Sequence, residues 1–87
     1  IAPLYERDKA DDARWIALLA LFELRTGRVY EQLGNLELAL QRYKTELTYR
    51  QLLVDREPGS ANWKRNLETV QAKVAALTAK LSGAPAN

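Results

Sequence analysis

Residues 27–47 read GRVYEQLGNLELALQRYKTEL, and this stretch decides the fold. Apolar and aromatic side chains recur every three or four positions on both sides of a Gly-Asn pair, which predicts two helices joined by a tight turn. Gly34 suits the left-handed residue that closes a helix. Gly27 lies inside the first helix, where it costs about 1 kcal/mol relative to Ala. We therefore expect the second helix to pass close to Gly27, near Ala39 and Tyr43.

The apolar periodicity extends outward from this stretch and predicts three helices, over residues 11–33, 36–56 and 60–82. No strand pattern is present, so the predicted fold is all-α, an antiparallel helical hairpin followed by one further helix. Residues 1–10 are interpreted as a cap or as the tail of a preceding helix. Residues 84–87 are expected to form a disordered tail.

Helix boundaries are predicted from capping residues. Asp11 or Asp12 is expected to cap the first helix, Asn35 the second and Ser60 the third, because their side chains accept hydrogen bonds from free amide groups. Pro58 lies just beyond the second helix, where it disfavours helical backbone at the preceding residue. The first helix is apolar on most sides, so we expect it to pack against two neighbours.

An internal repeat relates the first and third helices. When the sequence is shifted by 48 positions, Trp15 aligns with Trp63, and apolar positions continue to align along both helices. The further aligned pairs are Leu19 with Leu67, Phe22 with Val70, Val29 with Leu77 and Leu33 with Leu81. We therefore interpret these helices as two copies of one element. Either tryptophan could stack on a ligand, but we expect both to seal junctions between repeat units.

The central hairpin resembles the tetratricopeptide repeat, a helix–turn–helix unit of 34 residues. The residues that carry the resemblance are Gly27, Tyr30, Leu33, Gly34, Leu36, Ala39, Tyr43 and Leu47. The period of 48 residues is similar to that of long-helix variants of this family, with Trp15, Pro58 and Trp63 marking the unit boundaries. The resemblance implies an α-solenoid of about one and a half repeats, which presents a concave groove to a peptide or a neighbouring domain.

The resemblance also implies which residues line that groove. The candidates are Leu21, Leu24, Arg25, Arg28, Gln32, Thr69, Lys73 and Lys80. Arg25 and Lys73 take the same place in successive units, and a row of cations suits an acidic or carboxylate-bearing peptide. The competing interpretation is that these cations are solvated charges on an exposed face.

Composition narrows the function classes. The 87 residues predict one domain, and they include no Cys and no His, so we expect no enzyme, no metal site and no cofactor. The formal charge is only +2, with no phosphate-binding glycine loop, so nucleic acid is not an expected partner. The longest apolar run, residues 15–22, is too short to cross a membrane, and we expect a cytoplasmic location.

Two functions are carried forward. The first is a protein-interaction or scaffold module whose groove receives a protein or peptide, with an acidic peptide as the expected class. The alternative is a structural module that forms a homo-oligomer through the open faces of the repeat, without a foreign ligand. The apolar stripe of the third helix, from Trp63 to Leu81, favours this alternative.

Overall fold

The computed structural model describes the backbone of residues 2–83 and the side chains of residues 13–83. It contains three helices, α1 (Ala2–Gln32), α2 (Leu36–Arg56) and α3 (Ala61–Leu81), and no strand within residues 2–83. The predicted all-α class is confirmed. The expected tail at 84–87 lies outside the described residues.

The start of α1 differs from the expected boundary at residue 11. The helix begins at Ala2, so residues 2–10 continue into α1 instead of forming a cap or the end of a separate helix. Pro3 is tolerated because the first turn of a helix has no use for its missing N–H. From Leu4 to Thr26 the sequence contains neither Gly nor Pro, so nothing interrupts the helix. Asp11 therefore lies within the helix and does not precede it.

The turn between α1 and α2 has the predicted chemistry. Gly34 has φ +83°, in the left-handed region. Its N–H donates to the Glu31 carbonyl at 3.0 Å, and the Asn35 N–H donates to the Tyr30 carbonyl at 2.9 Å. These two bonds form a Schellman motif, which satisfies the last carbonyls of α1. The Asn35 side chain then caps α2 by accepting from the Leu38 N–H.

The second turn also follows the prediction. Pro58 and Gly59 form the turn, and the Ser60 side chain caps α3 by accepting a hydrogen bond from the Trp63 N–H. α3 runs from Ala61 to Leu81, within one residue of its predicted limits at both ends. Because both connections are short, successive helices run antiparallel.

The central helix is α2. It packs against α1 on one side and α3 on the other, while no Cα of α1 lies within 8 Å of a Cα of α3 among the described residues. The molecule is accordingly flat and elongated, 55 × 25 × 16 Å. Its main core joins α2 to α3 and consists of Ala39, Tyr43, Leu67, Val70 and Leu77.

The expectation that the first helix packs on two neighbours is wrong for this chain. Among the described residues, the backbone of α1 comes within 8 Å, Cα to Cα, of α2 but not of α3, and its opposite side is left with Trp15, Phe22 and Leu33 exposed. The sequence of α1 is apolar on several sides, but only one of those sides meets a neighbour among the described residues. The helix with two packed sides is α2.

Candidate functional site

α1 and α2 approach each other closely at Gly27. A Cβ atom on Gly27 would stand 2.7 Å from Cε1 and 2.9 Å from Cδ1 of the Tyr43 ring. Tyr43 is fully buried, so its ring has little freedom to move aside. The predicted close approach near Tyr43 is therefore confirmed, and it explains why the interior of α1 contains a glycine.

Tyr43 connects all three helices. Its hydroxyl donates a hydrogen bond to Glu31 Oε1 on α1 at 2.7 Å, and Lys73 Nζ on α3 stands 5.1 Å from the centroid of its ring. The distance from Lys73 falls within the range of a cation–π interaction. Burial, together with the hydrogen bond to the Glu31 carboxylate, raises the pKa of the Tyr43 phenol well above its ordinary value. Tyr43 is therefore a neutral hydrogen-bond donor at physiological pH.

The buried side of α2 includes an ion pair. Its buried residues are Ala39, Tyr43, Glu46, Arg50 and Leu53, which alternate at spacings of four and three along one line of the helix. Glu46 is 3% exposed and Arg50 is 8% exposed. Arg50 Nε donates to Glu46 Oε2 at 3.1 Å. Both members are desolvated, so each depends on the other for compensation.

Only one oxygen of Glu46 has a hydrogen-bond partner within the described part of the chain. Oε1 is buried and accepts no hydrogen bond from the residues that the structure describes. Burial raises the pKa of the Glu46 carboxyl above its ordinary value of 4.5, although the hydrogen bond from Arg50 and the charges of Arg50, Lys73 and Arg28 oppose the increase. A buried acceptor without a donor costs free energy.

A small cavity lies above this ion pair, between α1 and α3. Its volume is about 80 Å³, far below the roughly 300–1,000 Å³ of a site for a small organic ligand. It suits the end of one side chain. The lining residues are Leu24 and Arg28 from α1, Glu46 and Arg50 from α2, and Asn66, Thr69, Val70 and Lys73 from α3. Three cations thus surround a single carboxylate.

The structure brings together half of the groove residues expected from the sequence. Leu24, Arg28, Thr69 and Lys73 line the cavity. The other four are exposed and lie outside the cavity lining; they are Leu21, Arg25, Gln32 and Lys80. The predicted equivalence of Arg25 and Lys73 therefore does not place both cations in one site.

Sequence reasoning missed the α2 contribution to this site. The signal was available, because Glu46 and Arg50 continue the four-three spacing of Ala39, Tyr43 and Leu53. Charged residues are seldom buried, so the residue types argue against this position. Glu23 was missed for the same reason: it is buried on α1, and Arg42 Nη1 donates to its Oε1 at 3.2 Å.

The two tryptophans have different environments. Trp63 is partly buried at the start of α3, and its Nε1–H donates to Glu57 Oε2 at 3.3 Å in the turn before it. This contact joins the start of α3 to the turn between α2 and α3. Trp15 is 63% exposed. The expected role of both tryptophans at junctions between repeat units stays a prediction.

The α3 stripe that suggested self-association is not open. Leu67, Val70 and Leu77 are buried in the core with α2, so the stripe from Trp63 to Leu81 already has its partner within the chain. A wider depression of about 430 Å³ lies at the end of the molecule beside the first turn. Its lining is Leu33, Gly34, Asn35, Leu36, Glu37 and Leu81, without a buried charge.

Comparison with known proteins gives no relative for this chain. No family model, curated protein or solved structure matches it. The tetratricopeptide resemblance therefore depends on the sequence pattern of this chain alone. Among the described residues, no helix is long and apolar enough to span a membrane.

Proposed function

We propose that this chain is a protein-interaction module that binds an acidic side chain of a partner protein or peptide between α1 and α3. The observation that carries the proposal is the charge arrangement around the cavity, where Arg28, Arg50 and Lys73 surround Glu46. Arg50 is already paired with Glu46, so Arg28 and Lys73 are the cations available to a ligand. They stand on opposite walls, one on each outer helix.

The ligand class follows from this arrangement. A carboxylate placed between Arg28 and Lys73 gains two charge-assisted contacts, which are stronger than hydrogen bonds between neutral groups. Glu46 Oε1 is buried and offers almost no surface to a ligand, so the two cations define the ligand class. The expected ligand is therefore the carboxylate of a Glu or Asp side chain.

The rigidity of the site supports the proposal. Its base is formed by buried residues of α2, and its walls are two helices packed on that base. A preformed surface loses little conformational freedom on binding, which favours affinity from few contacts. The proposal assigns no chemical reaction to the chain, because the sequence offers no His or Cys to activate a nucleophile.

A pair of matched charge reversals tests the proposal. The cavity variant is Arg28→Glu with Lys73→Glu, and the control is Arg25→Glu with Lys80→Glu, which changes the net charge equally outside the cavity. The probe is a fluorescein-labelled peptide of alternating Glu and Ala, measured by anisotropy, with circular dichroism to verify folding. We expect the cavity variant to weaken binding about tenfold or more, and the control less than about threefold.

Two results would contradict the proposal. Equal losses in the two variants would mean that the peptide responds to net charge and has no site. Absence of binding to the wild-type chain, for this peptide and for a matching Asp peptide, would remove the acidic-ligand class.

Self-association is the alternative function, and its supporting observation is now the exposed side of α1. Sedimentation equilibrium of the chain alone tests it.

A further inference from the structure

A row of exposed apolar side chains runs along the side of α1 that faces away from α2. We call it the outer face of α1 and define it by Trp15, Leu18, Phe22, Val29 and Leu33. Their exposed fractions are 63%, 56%, 61%, 53% and 74%. The spacings of three, four and seven residues place them on one side of the helix. Large aliphatic and aromatic residues gathered in this way indicate a docking surface.

The third helix shows what covers such a surface. At the positions 48 residues later, Phe22 corresponds to Val70, which is 2% exposed, and Val29 corresponds to Leu77, which is 3% exposed. Both α3 residues are buried in the core with α2. In α3, these positions are thus buried by α2. In α1, the equivalent side chains are exposed.

The charge of Arg25 on the outer face indicates which residues a partner helix should carry. Arg25 lies between Phe22 and Val29 on the outer face, and its equivalent in α3 is Lys73. Lys73 stands over the ring of Tyr43, and its positive charge acts on the carboxylate of Glu46 three residues further along α2. By equivalence, a helix that covers the outer face should offer Arg25 an aromatic ring followed three positions later by an acid.

A second copy of this chain fits the outer face poorly. Two outer faces paired antiparallel about their midpoints would bring Arg25 of each copy together, which places like charges in contact. The α2 of a second copy is not free either, because α1 and α3 cover its two sides. Neither the outer face nor the α2 of a second copy is therefore a suitable partner. A different helix is needed to cover the outer face.

The opposite end of the molecule needs no such partner. The α3 positions equivalent to the α2-facing residues Ala20, Glu23, Gly27 and Tyr30 are exposed and mainly polar. They are Glu68, Gln71, Ala75 and Thr78. α3 therefore presents a polar surface to solvent, as the end of a helical stack does. Docking is directional, on the α1 side alone.

We propose that the outer face of α1 docks an amphipathic helix of the α2 kind, with apolar residues at four-three spacing and an aromatic residue three positions before an acid. The helix comes from another segment or protein and extends the stack by one layer beyond α1. This surface is separate from the cavity between α1 and α3, so the two proposals stand or fall independently.

The chain provides its own probe for this docking. A synthetic peptide of residues 36–56 has the required stripe and contains no Trp. A lactam between Lys44 and Thr48→Asp, at two exposed positions, keeps the peptide helical. The full chain carries Trp63→Phe, so that Trp15 is the single tryptophan in the mixture. We expect saturable binding with a blue shift of Trp15 emission, because the indole leaves water.

Matched variants locate the bound peptide. Val29→Asp adds one negative charge on the outer face and should weaken binding at least tenfold, whereas Gln71→Asp adds the same charge on α3 and should leave it unchanged. A charge exchange tests the Arg25 contact. The Glu46→Lys peptide should bind the wild-type chain about tenfold more weakly, and Arg25→Glu should restore most of that loss.

Three outcomes would overturn the proposal. The first is no change in Trp15 emission at any soluble concentration of the helical peptide. The second is equal binding to the Val29→Asp and Gln71→Asp chains, since the peptide would then occupy another surface. The third is a dimer of the chain alone that Val29→Asp dissociates, which would assign the outer face to a second copy.

Discussion

The two sides of α2 are packed by different means. Towards α1, the helices approach at Gly27 and are joined by polar contacts, namely Glu23 with Arg42 and Tyr43 with Glu31. Towards α3, the contact is a block of apolar side chains around Val70. On the α1 side, the absence of a side chain at Gly27 allows the close contact. On the α3 side, the contact depends on the apolar area that is buried. The first should therefore tolerate added atoms poorly, and the second should tolerate removed atoms poorly.

The largest effect is expected where atoms are removed on the α3 side. Leu77→Ala leaves a cavity in the core and should lower the free energy of unfolding by about 3 kcal/mol. Leu81→Ala, on the same helix but 40% exposed, should cost less than about 1 kcal/mol. Urea denaturation measures both values. Equal costs for the two variants would mean that α3 does not pack on α2 through this stripe.

On the α1 side, the addition of one carbon should destabilise the chain. Gly27→Ala gains about 1 kcal/mol of helix propensity but forces its Cβ into the Tyr43 ring, an overpacking that typically costs about 1–3 kcal/mol. We expect a net loss of about 1 kcal/mol. Gly59→Ala is the control, because no atom lies within 4 Å of its added Cβ. A stability gain for Gly27→Ala would show that the helices are further apart than described.

The polar contact on the α1 side should contribute less. Tyr43→Phe removes the hydrogen bond to Glu31 and should cost about 1 kcal/mol at pH 7. The pKa of Tyr43 is raised above 10.0 in the folded chain, so the unfolded chain loses this proton at a lower pH than the folded chain does. The wild-type chain therefore loses stability as the pH rises beyond 10.0. Phe does not titrate, so the cost of the substitution should shrink at about pH 11. A constant cost across this range would contradict the described environment of Tyr43.

The smallest effect concerns the acid beneath the cavity. The pKa of Glu46 is raised in the folded chain, so the wild-type chain should gain some stability as the pH falls from the folded pKa towards 4.5. Gln does not titrate, so the wild-type chain should be more stable relative to Glu46→Gln at about pH 4 than at about pH 7. Glu68→Gln, at an exposed site, should show no such dependence. A difference between Glu46→Gln and the wild-type chain that stays constant over this range would contradict the described burial of Glu46.

Local signals were sufficient to predict the hairpin. α2 has the predicted limits, Gly34 takes the left-handed conformation, and Asn35 caps the helix. The reason is that each signal depends on backbone geometry within a few residues. The approach at Gly27 was also predictable, since an interior glycine in a helix needs a compensating contact.

The base of the cavity could not be predicted by residue type. Glu46 and Arg50 lie in line with apolar neighbours, but charged residues are buried only when a partner and the surrounding packing compensate for lost hydration. Periodicity reported which residues share a side of α2. It does not report how deeply the neighbours on both sides of α2 bury this pair.

The same limit explains the error about α1. Its apolar residues indicate a side that can be buried, and Phe22 matches the buried Val70 in α3. Whether that side is covered depends on the presence of a further helix, which the pattern cannot supply. Sequence therefore predicts the capacity of a surface to pack, and structure shows where that capacity is used.

The central claim is that α2 lies between α1 and α3, and the Tyr43 ring reports on both sides of it. A nuclear Overhauser spectrum of the folded chain should show contacts from the Tyr43 ring protons to the Gly27 Hα protons and also to the side-chain methylenes of Lys73. The ring current of Tyr43 should change the chemical shifts of the Gly27 Hα protons. Contacts to Gly27 without contacts to Lys73, or the reverse, would contradict the three-helix arrangement.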